Sequence, residues 1–182
     1  MKIVTIILFL VSNLILGQSK LDSLPKSDTI WIKPGVGIDN IKFGETTDAE
    51  IKNYRNWNFE IDNGEGYACG DDDSCRNLTT DYQCKVENVR FLFSTPCISE
   101  NGNDKPENHP KKLTAIYLKQ TENACLENGI CIGETTYEGI LEIMDKPRGC
   151  RNKNFLAFYD KGISFHFDNE RKIYSVKVYT PR

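Results

Sequence analysis

The chain has 182 residues, of which 39% are hydrophobic and 27% are charged, and its formal net charge is −3. This length suits one ordinary domain or two small ones. The mild acidity excludes a general nucleic-acid binder, which needs a basic face, so we expect no nucleic-acid partner.

The N-terminus has the pattern of a secretory signal peptide. One lysine precedes the apolar run Ile3–Leu16, and Gly17 is a small residue at the expected cut, although a cut at Ser12 or within Gln18–Lys20 stays open. The run is shorter than the roughly 20 apolar residues that cross a bilayer. We predict a signal peptide over 1–17 and a secreted or periplasmic protein with no membrane span.

The segment after the signal peptide has little structural signal. Residues 18–36 are polar, contain Pro25 and carry only scattered apolar side chains. We predict a flexible leader there, anchored at most by Trp31 and Ile32.

The tetrapeptide Gly-Glu-Thr-Thr occurs twice, at 44–47 and at 133–136. A strand-like apolar run precedes each copy, and a helix-like run follows it. This self-similarity predicts an α+β fold of two tandem units, each a short helix packed on an antiparallel β-sheet and stapled by disulfides. We place the first unit at 37–120 and the second at 121–182.

Each copy of the tetrapeptide is also a helix start. Thr47 with Glu50 predicts a capping box, and Thr135 with Glu138 predicts the second cap. A helix start can bind an anion, but each copy has a single glycine and supplies its own capping groups. Structural capping is therefore the preferred interpretation.

The first unit contains two long irregular segments. Residues 60–84 hold several glycines, three cysteines and the acidic run Asp71–Asp73, which predicts a cysteine-rich insertion. Residues 95–110 predict a long loop, and the strands Val89–Phe93 and Leu113–Leu118 lie between and after these segments.

The second unit ends in a predicted antiparallel meander. Within its middle strand the apolar residues alternate inward, so Ser164, His166 and Asp168 are predicted to point outward. The three strands are Phe155–Tyr159, Gly162–Asp168 and Ile173–Tyr179.

The cysteines predict disulfides, because the chain is expected to be exported and lacks a Cys-x-x-Cys pair for zinc. We expect two bridges among the first four, one among the last three, and the unpaired thiol in that second group; the pairing itself stays open. No metal and no cofactor are expected. The seven are Cys69, Cys75, Cys84, Cys97, Cys125, Cys131 and Cys150.

The segment from Ile132-Gly133 through Lys146-Pro147 carries an apolar residue, Gly, any residue and Thr, then a short helix and Pro. It resembles the opening helix of β-lactamase-inhibitor-protein-like units and of the small lipoproteins of the outer-membrane assembly machine. The resemblance implies two tandem units whose concave sheet docks a protein partner. The chain departs from these families by having no lipid-bearing cysteine, no proline after the first helix, and a cysteine-rich insertion in the first unit.

Three possible chemical sites have weak support in the sequence. Consecutive members of the set Ser164, His166 and Asp168 are about 6.6 Å apart along one strand face and project in parallel, which does not make a catalytic triad. A thiol near His109 or His166 has no local feature that would activate it. Asp71, Asp72 and Asp73 could bind calcium, but without the ligand spacing of an EF-hand loop.

We therefore expect an exported, non-enzymatic module that binds or inhibits another protein. An exported hydrolase with an unrecognised site and a structural envelope protein are the alternatives. Candidate partner contacts are side chains expected to be exposed on the sheet and loops, namely Tyr67, Tyr82, Tyr159 and His166.

Overall fold

The computed structural model describes residues 28–69, 74–100, 102–121 and 123–181, without the side chains of residues 67–69. The predicted signal peptide lies outside these residues. In the described part of the chain the helices are α1 (Asp48–Lys52) and α2 (Tyr137–Ile143), and short 3₁₀ turns occur at Tyr54–Asn56, Pro106–Asn108 and Tyr159–Lys161. The strands there are β1 (Ile30–Lys33), β2 (Gly37–Ile38), β3 (Ile41–Lys42), β4 (Glu60–Cys69), β5 (Ser74–Cys84), β6 (Val89–Ser94), β7 (Ile98–Ser99), β8 (Lys112–Lys119), β9 (Ala124–Leu126), β10 (Arg151–Asn152), β11 (Phe155–Phe158), β12 (Ile163–Phe167) and β13 (Ile173–Tyr179).

Nine strands form one large antiparallel sheet. Its order is β10-β11-β12-β13-β8-β6-β5-β4, and β7 pairs with β5. The strands β8 and β13 meet inside the sheet, with Ile116 opposite Val178 and Leu118 opposite Val176. Because β8 comes from the first predicted unit and β13 from the second, the large sheet is continuous across the boundary predicted at residue 120.

A small second sheet has the order β3-β2-β1-β9. The strand β1 runs parallel to β9, with Ile30 opposite Ala124 and Ile32 opposite Leu126, and both isoleucines are buried. This corrects the described end of the leader predicted over 18–36, since residues 30–33 are a strand; residues 18–27 lie outside the described part. The pairing partner lies in a distant part of the chain, so the local sequence gives no sign of it.

The strands β4 and β5 form a long hairpin where the sequence predicts an irregular cysteine-rich insertion at 60–84. Their register places Cys69 opposite Ser74 at the turn end. The prediction of an irregular insertion is wrong for the described residues, because Gly64 and Gly66 sit inside a strand. Gly66 lies opposite Asn77, whose side chain occupies the space that a Cβ at position 66 would need.

Both Gly-Glu-Thr-Thr copies fold into the same turn. The glycine of each copy has a positive φ angle. The hydroxyl of the third residue then accepts a hydrogen bond from a backbone N–H four residues earlier. These bonds run from Lys42 to Thr46 at 2.8 Å and from Cys131 to Thr135 at 2.9 Å.

The fourth residue of each copy caps the helix that follows. Thr47 and Glu50 form the predicted capping box, with the Glu50 carboxylate accepting from the Thr47 N–H at 2.7 Å. Thr136 caps α2 by accepting a backbone N–H at 3.2 Å. The prediction that Thr135 caps this helix together with Glu138 is wrong, because the Thr135 hydroxyl is used inside the turn.

Both helices and the small sheet pack on the same face of the large sheet. One cluster of buried side chains joins Ile51 of α1 and Ile140 of α2 to Phe91 and Phe165 of the large sheet. The fold is therefore α+β, dominated by strands, with one core shared by the two predicted units. No helix in the described part of the chain has the length and apolar character needed to cross a membrane.

The described residues contain two disulfides. Cys84 has a free, buried thiol and Cys150 a free, exposed one. The prediction of two bridges among the first four cysteines is wrong, because Cys84 lies in the core, about 30 Å along β5 from the strand's bridged end. The bridges are Cys75–Cys97 and Cys125–Cys131.

Candidate functional site

The face of the large sheet opposite the helices, which we call the open face, carries aromatic and basic side chains. Tyr117 and Lys119 on β8, and Lys177 and Tyr179 on β13, alternate with buried aliphatic residues that point into the core. This alternation follows from the two-residue period of a strand. Lys119 is exposed, and the other three side chains are partly exposed.

A depression of about 1030 Å³ lies on the open face. Its floor includes Ala115 and Ser164, which are 4% and 3% exposed. Because small side chains form the floor and large ones the walls, this part of the sheet surface is concave. The aromatic wall residues are Tyr117, Phe155, Tyr159 and Tyr179.

The structure brings Ser164 and His166 to the depression but leaves Asp168 outside it. Ser164 lies on the outward face, as the alternation predicts, but it is buried in the floor of the depression and not exposed to solvent. The Asp168 carboxylate accepts the backbone N–H groups of Glu170 and Lys172 at 2.9 Å each and so holds the β12–β13 turn. These three residues are not arranged as a triad.

Two cations flank the ring of Tyr117. The Arg90 guanidinium lies 5.2 Å from the ring centroid, and the Lys177 ammonium lies 5.0 Å from it and 5.8 Å from that of Tyr179. Arg90 also forms an ion pair with Asp81 at 2.5 Å. Lys177 has no such pair with any described carboxylate within 4.0 Å.

Asp81 is the acidic residue that pairs with Arg90 beside Tyr117. Burial raises the pKa of Asp81 above its ordinary value, Arg90 opposes this effect and the nearby charge of Asp62 adds to it. One oxygen of the Asp81 carboxylate is buried without a hydrogen-bond partner. Asp81 therefore forms its ion pair with Arg90 and not with Lys177.

His166 is an uncharged part of the wall at neutral pH. Its ring lies 4.6 Å from that of Phe155, centroid to centroid. Burial, with a further contribution from the positive charge of Lys177, holds the pKa of His166 below its ordinary value of 6.5. The positive charge of the depression therefore comes from its lysines.

The other chemical candidates are not assembled into a site. No group of three or more His, Cys, Asp or Glu side chains suited to a metal ion occurs among the described residues. The calcium candidates Asp71, Asp72 and Asp73 lie outside those residues. His109 pairs with Asp104 at 2.6 Å on the surface, and this hydrogen bond is the main cause that lowers the pKa of Asp104.

The residues predicted to contact a partner differ in their exposure in the structure. Tyr159 is 42% exposed and lines the depression together with His166. Tyr82 is 3% exposed and packs in the core, so its prediction as an exposed contact is wrong. The Tyr67 side chain lies outside the described part. Sequence reasoning missed Lys177, although strict alternation along β13 could have placed it on the open face.

No protein-family model, no curated protein and no solved structure matches this chain. The resemblance to β-lactamase-inhibitor-protein-like units therefore stays a prediction.

Proposed function

We propose that this protein is an exported, non-enzymatic module that binds, or inhibits, another protein through the open face of its large sheet. The observation that carries this proposal is the concave depression with its wall of partly exposed aromatic side chains. Aromatic residues grouped around a concave centre supply much of the binding energy of protein interfaces.

The rigidity of the depression supports the same function. Three of its aromatic wall residues, Tyr117, Phe155 and Tyr179, stand on strands whose alternate side chains are fully buried in the core, among them Ile116, Leu156 and Val178. Wall side chains on such a fixed backbone lose little conformational freedom when a partner docks, so ordering them costs less binding free energy.

Export is supported by the two disulfides, which form and persist in oxidising compartments. The signal peptide predicted over 1–17 would deliver the chain to such a compartment. The matching turns at the two Gly-Glu-Thr-Thr copies support the interpretation of two tandem units. Under that interpretation, the two units contribute their strands side by side to one binding face.

Site-specific photo-crosslinking tests the proposal. A photoreactive phenylalanine analogue at position 159, on the depression, is compared with the same analogue at Val86, which is 87% exposed in the β5–β6 turn. In the exporting host, we expect a discrete adduct with one protein at position 159 and none at position 86.

The captured protein is then purified and its affinity measured directly. We expect Ala115→Trp, which fills the floor of the depression, to weaken binding by at least about tenfold without changing the circular dichroism spectrum. Equal adducts at both positions would contradict the proposal. A purified protein that hydrolyses an ester substrate, and loses this activity with Ser164→Ala, would replace binding by the hydrolase alternative.

A further inference from the structure

The side chains around the depression are unbalanced in charge. Of the thirteen residues that the structure places around it, two are lysines, Lys153 and Lys177, and none is Asp or Glu. The chain as a whole carries a net charge of −3. The depression is thus a local site of positive charge on an acidic protein, and this charge has to be matched by whatever covers it.

Arg90 and Lys177 give an internal comparison. Both lie over Tyr117 at nearly the same distance, 5.2 and 5.0 Å. Arg90 is neutralised by Asp81, whereas Lys177 lies near the ring of Tyr179 and the uncharged His166 without a described carboxylate partner. Lys177 is partly buried, its ammonium group lies 5.0 Å from the Tyr117 ring centroid and 5.8 Å from that of Tyr179, and it pairs with no carboxylate among the described residues.

A docked partner would remove more water from Lys177. Burying an unpaired ammonium group under an apolar or neutral surface is costly, and a cationic surface would be repelled. A carboxylate placed against Lys177 compensates this cost with a charge-assisted hydrogen bond. The floor at Ala115 and Ser164, together with the rings of Phe155 and Tyr179, provides room for an apolar side chain beside it.

We infer that the depression takes a segment of a partner protein in which an Asp or Glu lies next to an aromatic or large aliphatic side chain. The acid pairs with Lys177, and the apolar side chain covers the small floor residues. This inference rests on the proposed function and adds the chemistry of the partner to it.

Selection from a phage-displayed library of disulfide-constrained random peptides tests this chemistry. Against the full-length protein with its disulfides formed, we expect enrichment of Asp or Glu beside an aromatic or large aliphatic residue. Against Lys177→Glu, we expect the enriched charge to change to Lys or Arg. For a synthetic selected peptide, Lys177→Gln should raise Kd by about tenfold, and Lys112→Gln, an exposed lysine outside the depression, should leave Kd unchanged.

Binding measurements with variants, and with a small carboxylic acid, decide between the inference and its alternatives. Peptides that bind in the depression lose binding with Ala115→Trp, or with Thr114→Trp if the first variant is unstable. If such peptides carry no acid, or bind Lys177→Gln as tightly as the wild type, the inference is overturned and the proposed function still stands. Peptides that ignore both tryptophan variants do not use the depression and overturn the inference as well. Phenylpropionate that binds as tightly as the peptides would make this a small-molecule site and would also overturn it. Failure of the photo-crosslinking experiment, in contrast, overturns the proposed function itself.

Discussion

His166 and Lys177 lie next to each other on the wall of the depression, and the positive charge of one affects the proton affinity of the other. Lys177→Met should therefore raise the pKa of His166, although burial will still hold it below 6.5. An NMR titration of the imidazole protons measures this pKa. Lys112→Met, outside the depression, is the matched control, and an equal pKa in both variants would contradict the coupling.

The lowered pKa of His166 also links stability to pH. Because the unfolded chain binds this proton more readily than the folded one, the contribution of His166 is fully present above its unfolded pKa. It is lost as the pH falls through the lower, folded pKa. Urea unfolding at several pH values should show this loss in the wild type and a smaller one in His166→Gln. The same slope in both proteins would assign it to other groups.

Thr136 is the residue that starts α2. Thr136→Ala should lower the free energy of unfolding by about 1 kcal/mol, because one N–H at the helix start loses its acceptor. Thr136→Ser keeps the hydroxyl and should stay close to the wild type. Urea denaturation followed by circular dichroism gives both values. If serine is as destabilising as alanine, packing of the threonine methyl group and not capping determines the effect.

At the scale of elements, Asp39 connects β1 to the turn after α1. Its carboxylate accepts the Trp31 N–H at 2.7 Å, the Tyr54 hydroxyl at 2.6 Å and the Arg55 guanidinium at 2.8 Å. Its φ angle is +47°, which asparagine also tolerates. Asp39→Asn therefore changes the charge and one acceptor while leaving the backbone conformation accessible.

We expect Asp39→Asn to lower the free energy of unfolding by about 2 kcal/mol, because Arg55 and Tyr54 lose a shared, largely buried acceptor. The matched control is Glu45→Gln, which breaks the exposed pair with Lys42 and should change stability by less than about 0.5 kcal/mol. Chemical denaturation measures both variants. Equal effects would show that Asp39 is no more than a surface charge.

Elements with a local signal could be predicted from the sequence, and elements with a distant partner could not. The strand β13, Ile173–Tyr179, has the predicted bounds, because its apolar residues alternate and turn residues precede it. The strand β1 is too short to show a period and is defined by its parallel pairing with β9. The sequence does not predict the hairpin β4–β5, because glycine normally weakens a strand, whereas Asn77 here occupies the space beside Gly66.

The same rule holds for the candidate site: residues with a local signal can be predicted, and residues defined by a distant neighbour cannot. Tyr159 and His166 could be proposed as surface residues from their own segments. Lys177 gains its meaning from Tyr117 on the neighbouring strand β8, which lies far away in sequence. Whether a cation has a carboxylate partner depends on strand order and register, and the amino-acid sequence does not display either directly.

At the scale of the whole molecule, the shared sheet and the shared core predict one cooperative unfolding transition. Two independent units would unfold separately, with separate midpoints. The chain offers a direct probe of this difference. Both tryptophans, Trp31 and Trp57, lie in the N-terminal half, so their fluorescence reports that half, whereas circular dichroism reports both halves.

Ile140→Ala applies this probe, because it removes a fully buried side chain from α2 in the C-terminal half. We expect a loss of about 3 kcal/mol, with the midpoints of tryptophan fluorescence and circular dichroism moving together, since Ile140 and Trp57 pack on the same core. Ile143→Ala, at a side chain 48% exposed on the same helix, should move neither midpoint by much. If Ile140→Ala shifts the circular dichroism and leaves the fluorescence midpoint unchanged, the halves fold independently. The binding face would then be an assembly of two units and not a single rigid surface.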